Sequence, residues 1–151
     1  MKRKKKEKGN DDLGIGTTDK KFKTSDYVKF QKYCLAYQKL FHRDDWFLSF
    51  RFRKICNDAN AQFILVPDAR LVEITLQKGE VTGPPDLLRL VAKHEIIEAL
   101  IIGKLRDWGY RWAGADRFKR DQVEEEGHAI TQLLMKLLPD PEEKKKKKNA
   151  K

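Results

Sequence analysis

The sequence predicts an α+β fold in a single domain, with a small mixed sheet, a central helix and a C-terminal helix. Its 151 residues are 40% apolar and 10% aromatic, which suffices for one packed core and argues against two domains. The spacing of apolar residues changes along the chain from helical to alternating and back to helical. This order of helix, strands, helix and helix favours α+β over alternating βαβ units.

A first amphipathic helix is predicted to begin at Ser25 and Asp26, both of which are good N-cap residues. Aromatic and apolar residues then recur every three or four positions: Tyr27, Phe30, Tyr33, Cys34, Tyr37, Leu40 and Phe41. We expect the helix to end near His42, which we interpret as a helix-end residue rather than a ligand.

The following segments have the two-residue period of β-strands. Within residues 46–53, four apolar side chains fall on one face: Trp46, Leu48, Phe50 and Phe52. Residues 61–66 and 69–76 are two further short β-rich runs, separated by Pro67 and Asp68. Together the three runs predict a small sheet.

The second half of the chain is predicted to be mainly helical. Residues 79–84 form a turn-rich break, and a central helix is expected over residues 85–107. A loop at 109–118 separates it from a last helix at 119–138, which Pro139 stops.

The formal net charge of +10 is concentrated at the two ends of the chain. Residues 1–8 hold six basic residues and one Glu, and residues 142–151 hold six Lys and two Glu, so the ends carry +5 and +4. We therefore predict a disordered basic arm at 1–24, a folded domain at 25–140 and a Lys-rich tail at 141–151. Such ends bind polyanions weakly, so non-specific nucleic acid is a candidate partner, although solvated ends without a partner fit equally well.

The composition also favours a cytoplasmic protein. Cys34 and Cys56 lack a Cys-x-x-Cys partner, which argues against a disulfide framework and fits a reducing compartment. The longest apolar run, at 96–102, is interrupted by Glu98 and is far shorter than the ~20 residues that span a bilayer. We therefore expect no membrane partner.

Three residues of the central helix form a chemically distinctive group. On an ideal helix, His94 and Glu98 lie on one apolar stripe together with Leu87, Leu90, Ile101 and Leu105. A carboxylate on such a stripe must be paired, protonated or bound to a cation, and ligands at i and i+4 can close on one ion. Glu95 lies ~100° round the helix, where it could address a water on that ion. The spacing alone fits equally well a hydrogen-bonded His94–Glu98 pair with an exposed Glu95.

The segment "LLRLVAKHEIIEALIIGKL" resembles the active-site helix of zincin metallopeptidases. The core from about Trp46, through "DARLVEITL", to "EEEGHAITQLLMKLL" is similar to a compact, phage-type metallopeptidase family. This resemblance implies a zincin-like fold, zinc as the cofactor, His94 as a ligand and Glu95 as the catalytic base. Most zincins have a second histidine at the position that Glu98 occupies here.

A zincin of the two-histidine, one-carboxylate type takes a third ligand from a later helix, and here the resemblance points to His128. The geometry of the last helix argues against this choice, because His128 lies opposite its apolar stripe of Val123, Ile130, Leu133, Leu134 and Leu137. Glu124, on the same side as His128, and Glu126, within the stripe, are the alternative metal ligands.

Taken together, the sequence predicts a zinc-dependent hydrolase, specifically a metallopeptidase acting on a peptide or protein substrate. By the same resemblance, the strand at 69–76 would bind the extended substrate. Two alternatives remain, namely a non-catalytic nucleic-acid-binding protein with basic tails and an inactive zincin-like structural protein. Aromatic residues near 108–112 could stack on bases, but we interpret them as a lid over the core.

Overall fold

The structure, a computed structural model, describes residues 18–141 and confirms an α+β fold with a small mixed sheet and a C-terminal helix. The strands are β1 (Thr18–Lys21), β2 (Phe47–Arg53), β3 (Ala61–Val66), β4 (Leu71–Gln77) and β5 (Glu80–Gly83). The helices are α1 (Thr24–Leu40), α2 (Leu87–Ile96), a π-helical turn (Ile97–Ile102), α3 (Gly103–Ala113) and α4 (Arg117–Leu137).

A three-stranded mixed sheet in the order β2-β4-β3 forms one wall of the core. β4 runs parallel to β2 and antiparallel to β3, and the register pairs Phe50 and Phe63 with Ile74. Since β4 has a partner on each side, the prediction that residues 69–76 form the substrate-binding edge is wrong. Within the described part of the chain, the free edges of this sheet belong to β2 and β3.

Two helices cover the inner face of the sheet. Phe30, Cys34 and Tyr37 of α1 are fully buried, and they pack with the sheet and with α2 around Ile74 and Ile96. Alternation along β2 is as predicted, because Phe50 faces this core and takes an edge-to-face position 6.4 Å from the ring of Phe30. The core thus fixes the position of α2, which carries His94.

A second, two-stranded sheet corrects the start of the predicted domain. β1 lies inside the predicted arm at 1–24 and β5 inside the predicted turn at 79–84, and the two strands pair antiparallel. Each has only four residues with little apolar patterning, so their backbone pairing gave no periodic signal. Residues 1–17 and 142–151, including both Lys-rich ends, lie outside the described residues.

The central helical stretch is longer than predicted. It runs without a break from Leu87 to Ala113, so the predicted loop at 109–118 shrinks to the connection around Gly114, whose φ is +56°. Gly109 lies inside α3, where a Cβ would come within 2.8 Å of the Val123 side chain of α4. The absence of a side chain at this position lets the two helices pack closely. The glycine that suggested a loop is therefore a point of close helix packing.

The inward face of α4 differs from the predicted apolar stripe. Gly127 and Thr131 are buried against the core, whereas Ile130, Leu133 and Leu137 are exposed. Small side chains at the contact let α4 approach the central stretch closely, a pattern that an apolar periodicity does not detect.

Among the described residues, no helix is both long and apolar enough to span a membrane.

Candidate metal centre

Three predicted ligands meet where α4 crosses the central helical stretch. His94 Nε2 lies 3.6 Å from Glu98 Oε1, and His128 Nδ1 lies 3.6 Å from the same oxygen. One donor atom from each of the three residues lies within 4.8 Å of the other two. The predicted apolar stripe of α4 does not face Glu98. His128 lies beside the buried face of α4, which Gly127 and Thr131 form, and this brings its ring near Glu98.

The spacing of these atoms is close to that of a tetrahedral zinc site. Bonds of 2.0–2.1 Å in tetrahedral geometry separate two ligand atoms by roughly 3.3 Å. The two histidine–carboxylate separations of 3.6 Å are close to this value, and the two histidine nitrogens lie within 4.8 Å of each other, so the three donors would have to move closer together to bind one ion. Two imidazoles and one carboxylate are a donor set that suits zinc and leaves a fourth position for water.

The ionisation of His94 suits a metal ligand. Burial lowers the pKa of His94, and the nearby His128 and Arg106 lower it further, while Glu98 opposes this shift. The net direction favours the neutral imidazole, which is the form that binds a metal.

The π-helical turn gives Glu98 a partner that the sequence analysis missed. Arg106 donates two hydrogen bonds to Glu98, at 3.3 Å from Nη1 and 3.2 Å from Nη2. In an uninterrupted α-helix these residues, eight positions apart, would be ~80° apart around the axis. The extra residue of a π turn reduces that angle to roughly 20°. It also turns Leu105, which was predicted to face inward, out to solvent.

Arg106 fits its position because α4 has a glycine there. A Cβ on Gly127 would lie 2.5 Å from Arg106 Nε. The same guanidinium lies 3.5 Å from the Glu124 carboxylate, although its Nε has no hydrogen-bond partner among residues 18–141. Arg106 thus neutralises Glu98 and fixes the orientation of its carboxylate beside the two histidines. The 3.6-residue period of a regular α-helix places Arg106 away from Glu98, so this pairing could not be read from the sequence.

Glu95, the predicted base, is buried next to His94 rather than exposed. Only 6% of the residue is accessible, and no side-chain hydrogen bond to it occurs within residues 18–141. Burial, reinforced by the charge of Glu98, raises the pKa of Glu95 to about 8. Its carboxyl group is mostly protonated at pH 7 in the metal-free protein, and a nearby cation would favour the ionised form.

His94 lines two depressions, which we together term the cleft. In one of them, of about 370 Å³, Glu95 lies together with Asn60 and Ala61, at the start of β3. In the other, of about 610 Å³, His94 lies together with Glu98 and His128. The cleft thus comprises a depression at the edge of the sheet, beside Glu95, and a second one beside the three donor atoms, with His94 common to both.

The remaining candidate residues are divided by the structure. Glu124 lines the same polar depression as His128, where it pairs with Arg106. Glu126 lines a groove on the opposite side of α4 and accepts a hydrogen bond from Gln122, so the structure does not bring it to the three donor atoms. His42 follows the end of α1 with a φ of +53°, which fits a helix-end residue.

The aromatic residues near 108–112 do not form a lid over the core. They lie on α3, and 73% of Trp108 and 60% of Trp112 are exposed.

Comparison of the chain with protein-family models, with curated proteins and with solved structures finds no match.

Proposed function

We propose that this protein is a zinc-dependent hydrolase, with a zincin-like arrangement and a peptide as its substrate. One observation carries the proposal, namely the convergence of His94, Glu98 and His128 beside a buried Glu95. The two imidazoles and the carboxylate would hold the ion, and Arg106 would keep the carboxylate oriented toward it.

The chemistry expected at this centre is the activation of water. A zinc ion held by three protein ligands supplies a Lewis acid and lowers the pKa of a bound water. Glu95 would take the proton, because its carboxyl group lines one depression of the cleft together with His94. The same group would accept the proton and later return it to the leaving group.

The position of the sheet supports an extended peptide as the substrate class. β3 is an edge strand, and the residues at its start line the cleft with His94 and Glu95. Its unpaired backbone groups could bind a peptide by strand addition, which would lay the scissile bond along the cleft. β3 thus takes the role that the resemblance had implied for residues 69–76.

Zinc analysis of the full chain and of single variants tests this proposal. We expect about one zinc per chain, and loss of zinc in His94→Ala, Glu98→Ala and His128→Ala, because each variant removes a ligand. Glu95→Gln should keep zinc, while hydrolysis of a fluorogenic peptide library falls by the ~10² to 10⁴ of a lost general base. Zinc content is measured by elemental analysis after dialysis.

The chain offers a matched control for each residue type. His42→Ala removes a histidine far from the centre, and Glu126→Gln alters a carboxylate on the other side of α4, so neither should change the zinc content. A zinc-free wild-type protein would contradict the proposal. Zinc binding without any hydrolysis would instead favour an inactive, zincin-like structural protein.

A further inference from the structure

The outer side of α3 and α4 presents an exposed apolar surface, which we term the tryptophan face. Leu105, Trp108 and Trp112 follow one another along α3 at spacings of three and four residues, and so do Ile130, Leu133 and Leu137 along α4. All six are more than 40% exposed. Contiguous exposed apolar patches of several hundred Å² often serve as interaction surfaces.

The tryptophan face and the candidate metal centre lie on opposite sides of α4. A groove of about 260 Å³ runs between α3 and α4 on this face, lined by Trp108, Trp112, Val123 and Ile130. The metal centre opens on the other side, where Glu124 and His128 point. Arg106 lines both the groove and the depression beside the donor atoms, but occupation of the groove would leave the cleft itself accessible.

The size of the face matches the apolar part of a standard protein interface. The two indoles alone expose on the order of 300 Å², given their exposed fractions of 73% and 60%. With the four aliphatic side chains, the apolar area reaches roughly 500–600 Å². A standard interface buries about 800 Å² on each partner, of which just over half is apolar.

The ends of this chain outside the described residues are poor candidates to cover the face. Residues 1–17 contain only three large apolar side chains, Met1, Leu13 and Ile15, and residues 142–151 contain none.

The charge of the described residues permits contact between copies. Residues 18–141 contain 21 basic and 18 acidic residues, a net charge of +3, whereas residues 1–8 and 142–151 together carry +9. Most of the repulsion between copies therefore comes from the two ends. Trp108 and Trp112 line the groove itself, so the same apolar face of two copies can pack together about a two-fold axis.

We propose that two copies of this chain associate through the tryptophan face in a two-fold symmetric dimer. In this dimer Trp108 and Trp112 of each copy pack against the groove between α3 and α4 of the other copy. Both metal centres remain open to solvent on the outer sides of the dimer.

Sedimentation and intrinsic fluorescence of the full-length protein test the dimer. We expect a mass of about 35 kDa at micromolar concentrations, twice the 17.7 kDa of one chain. The tryptophan emission should shift to shorter wavelength as the concentration rises, because Trp108 and Trp112 become buried while Trp46 is already buried in each copy. The double variant Trp108→Gln/Trp112→Gln should weaken dimerisation by at least ~100-fold.

Phe47→Gln is the matched control, because Phe47 is 72% exposed but lies on the outer face of the sheet. This variant should dimerise like the wild type, and removal of zinc should leave the dimer intact. A wild-type protein that remains monomeric at ~100 µM, or a double variant that still dimerises, would overturn the proposal. So would wild-type binding to vesicles of anionic phospholipid that the double variant loses, since the face would then serve a membrane surface.

Discussion

At the scale of single residues, Asp140 fastens the end of α4 to the core. Its carboxylate accepts hydrogen bonds from the Tyr37 hydroxyl at 2.8 Å and from Arg89, and it forms an ion pair with Lys93 at 3.0 Å. The buried Lys93 also donates to the Leu138 carbonyl at 2.6 Å. One carboxylate, just after α4, thus binds polar groups on both α1 and α2.

Asp140→Asn should destabilise the protein by about 1–3 kcal/mol, because it leaves the nearly buried Lys93 without its carboxylate partner. Urea unfolding followed by circular dichroism at pH 7 measures this change. Asp107→Asn is the control, since Asp107 pairs with Arg111 on the helix surface and should cost no more than about 0.5 kcal/mol.

The effect of Asp140 also depends on pH. Burial alone would raise the pKa of Asp140, but the hydrogen bonds from Tyr37 and Lys93 outweigh it and lower the pKa below 3.8. The carboxylate therefore contributes its full stabilisation above the unfolded-state pKa, and this contribution is lost as the pH falls through the lowered folded-state value. The wild type and Asp140→Asn should converge in stability at acidic pH, and a constant difference down to pH 2 would contradict this assignment.

The candidate ligands could be predicted from the sequence, but their environment could not. His94, Glu95 and Glu98 form a local pattern on one helix, and spacing along a helix is readable without tertiary structure. His128 was named through a resemblance and against the predicted apolar stripe, because the inward face of α4 depends on packing. Arg106 was missed since one extra residue in the π turn changes the face of every later residue.

At the scale of elements, the contact between α3 and α4 determines the geometry of the candidate centre. Arg106 can lie between Glu98 and α4 only because position 127 has no Cβ. The helix–helix distance and the orientation of the carboxylate therefore depend on the same glycine.

Gly127→Ala should destabilise the protein by about 1–3 kcal/mol, although alanine has the higher helix propensity by about 1 kcal/mol. The physical reason is the 2.5 Å approach of the new Cβ to Arg106 Nε, which forces the guanidinium or α4 to move. The free energy of unfolding, measured with urea, tests this expectation.

A double-mutant cycle identifies the cause of that loss. In an Arg106→Ala background the obstructing side chain is absent, so Gly127→Ala should become neutral or stabilising. If Gly127→Ala were equally destabilising in both backgrounds, the backbone of α4 rather than Arg106 would be responsible.

The elements themselves differed in how well the sequence specified them. α1, β2, β3 and α4 bury or expose their residues with a regular period, so their existence and approximate bounds followed from the pattern. The β1–β5 pair is held by backbone hydrogen bonds between segments more than 50 residues apart, and such pairing leaves no local trace. The length of the central stretch was underestimated because Gly109 serves packing there rather than a turn.

At the scale of the whole molecule, the distribution of charge separates two regions. Residues 1–8 and 142–151 carry +9 of the net +10 charge, so the residues between them carry +1. The charge of the described residues is nevertheless uneven, because a groove of about 590 Å³ between the starts of α1 and α2 is lined by four lysines, Lys20, Lys21, Lys23 and Lys29, and by Arg89, beside Asp26 and Asp86. Five basic side chains offset by two aspartates are a weaker polyanion site than two dense terminal clusters.

The terminal segments should therefore dominate any binding to nucleic acid. Fluorescence anisotropy with labelled duplex DNA should detect binding at 50 mM salt that is lost by 200 mM, as expected when ~6–10 phosphates are neutralised. Deleting residues 1–8 and 142–151 should abolish this binding without changing the circular dichroism spectrum, because the deletion keeps every helix and strand of residues 18–141.

The groove provides the comparison that decides between the two regions. Lys21→Gln/Lys23→Gln/Lys29→Gln removes three charges from the folded part, so it should reduce the dependence of log K on log salt by at most ~3 and leave most of the affinity. The deletion removes a net nine charges and should eliminate that dependence. Tight binding by the deletion variant at physiological salt would place the nucleic-acid site on the folded domain, and the non-catalytic binding function would then become the better explanation of this protein.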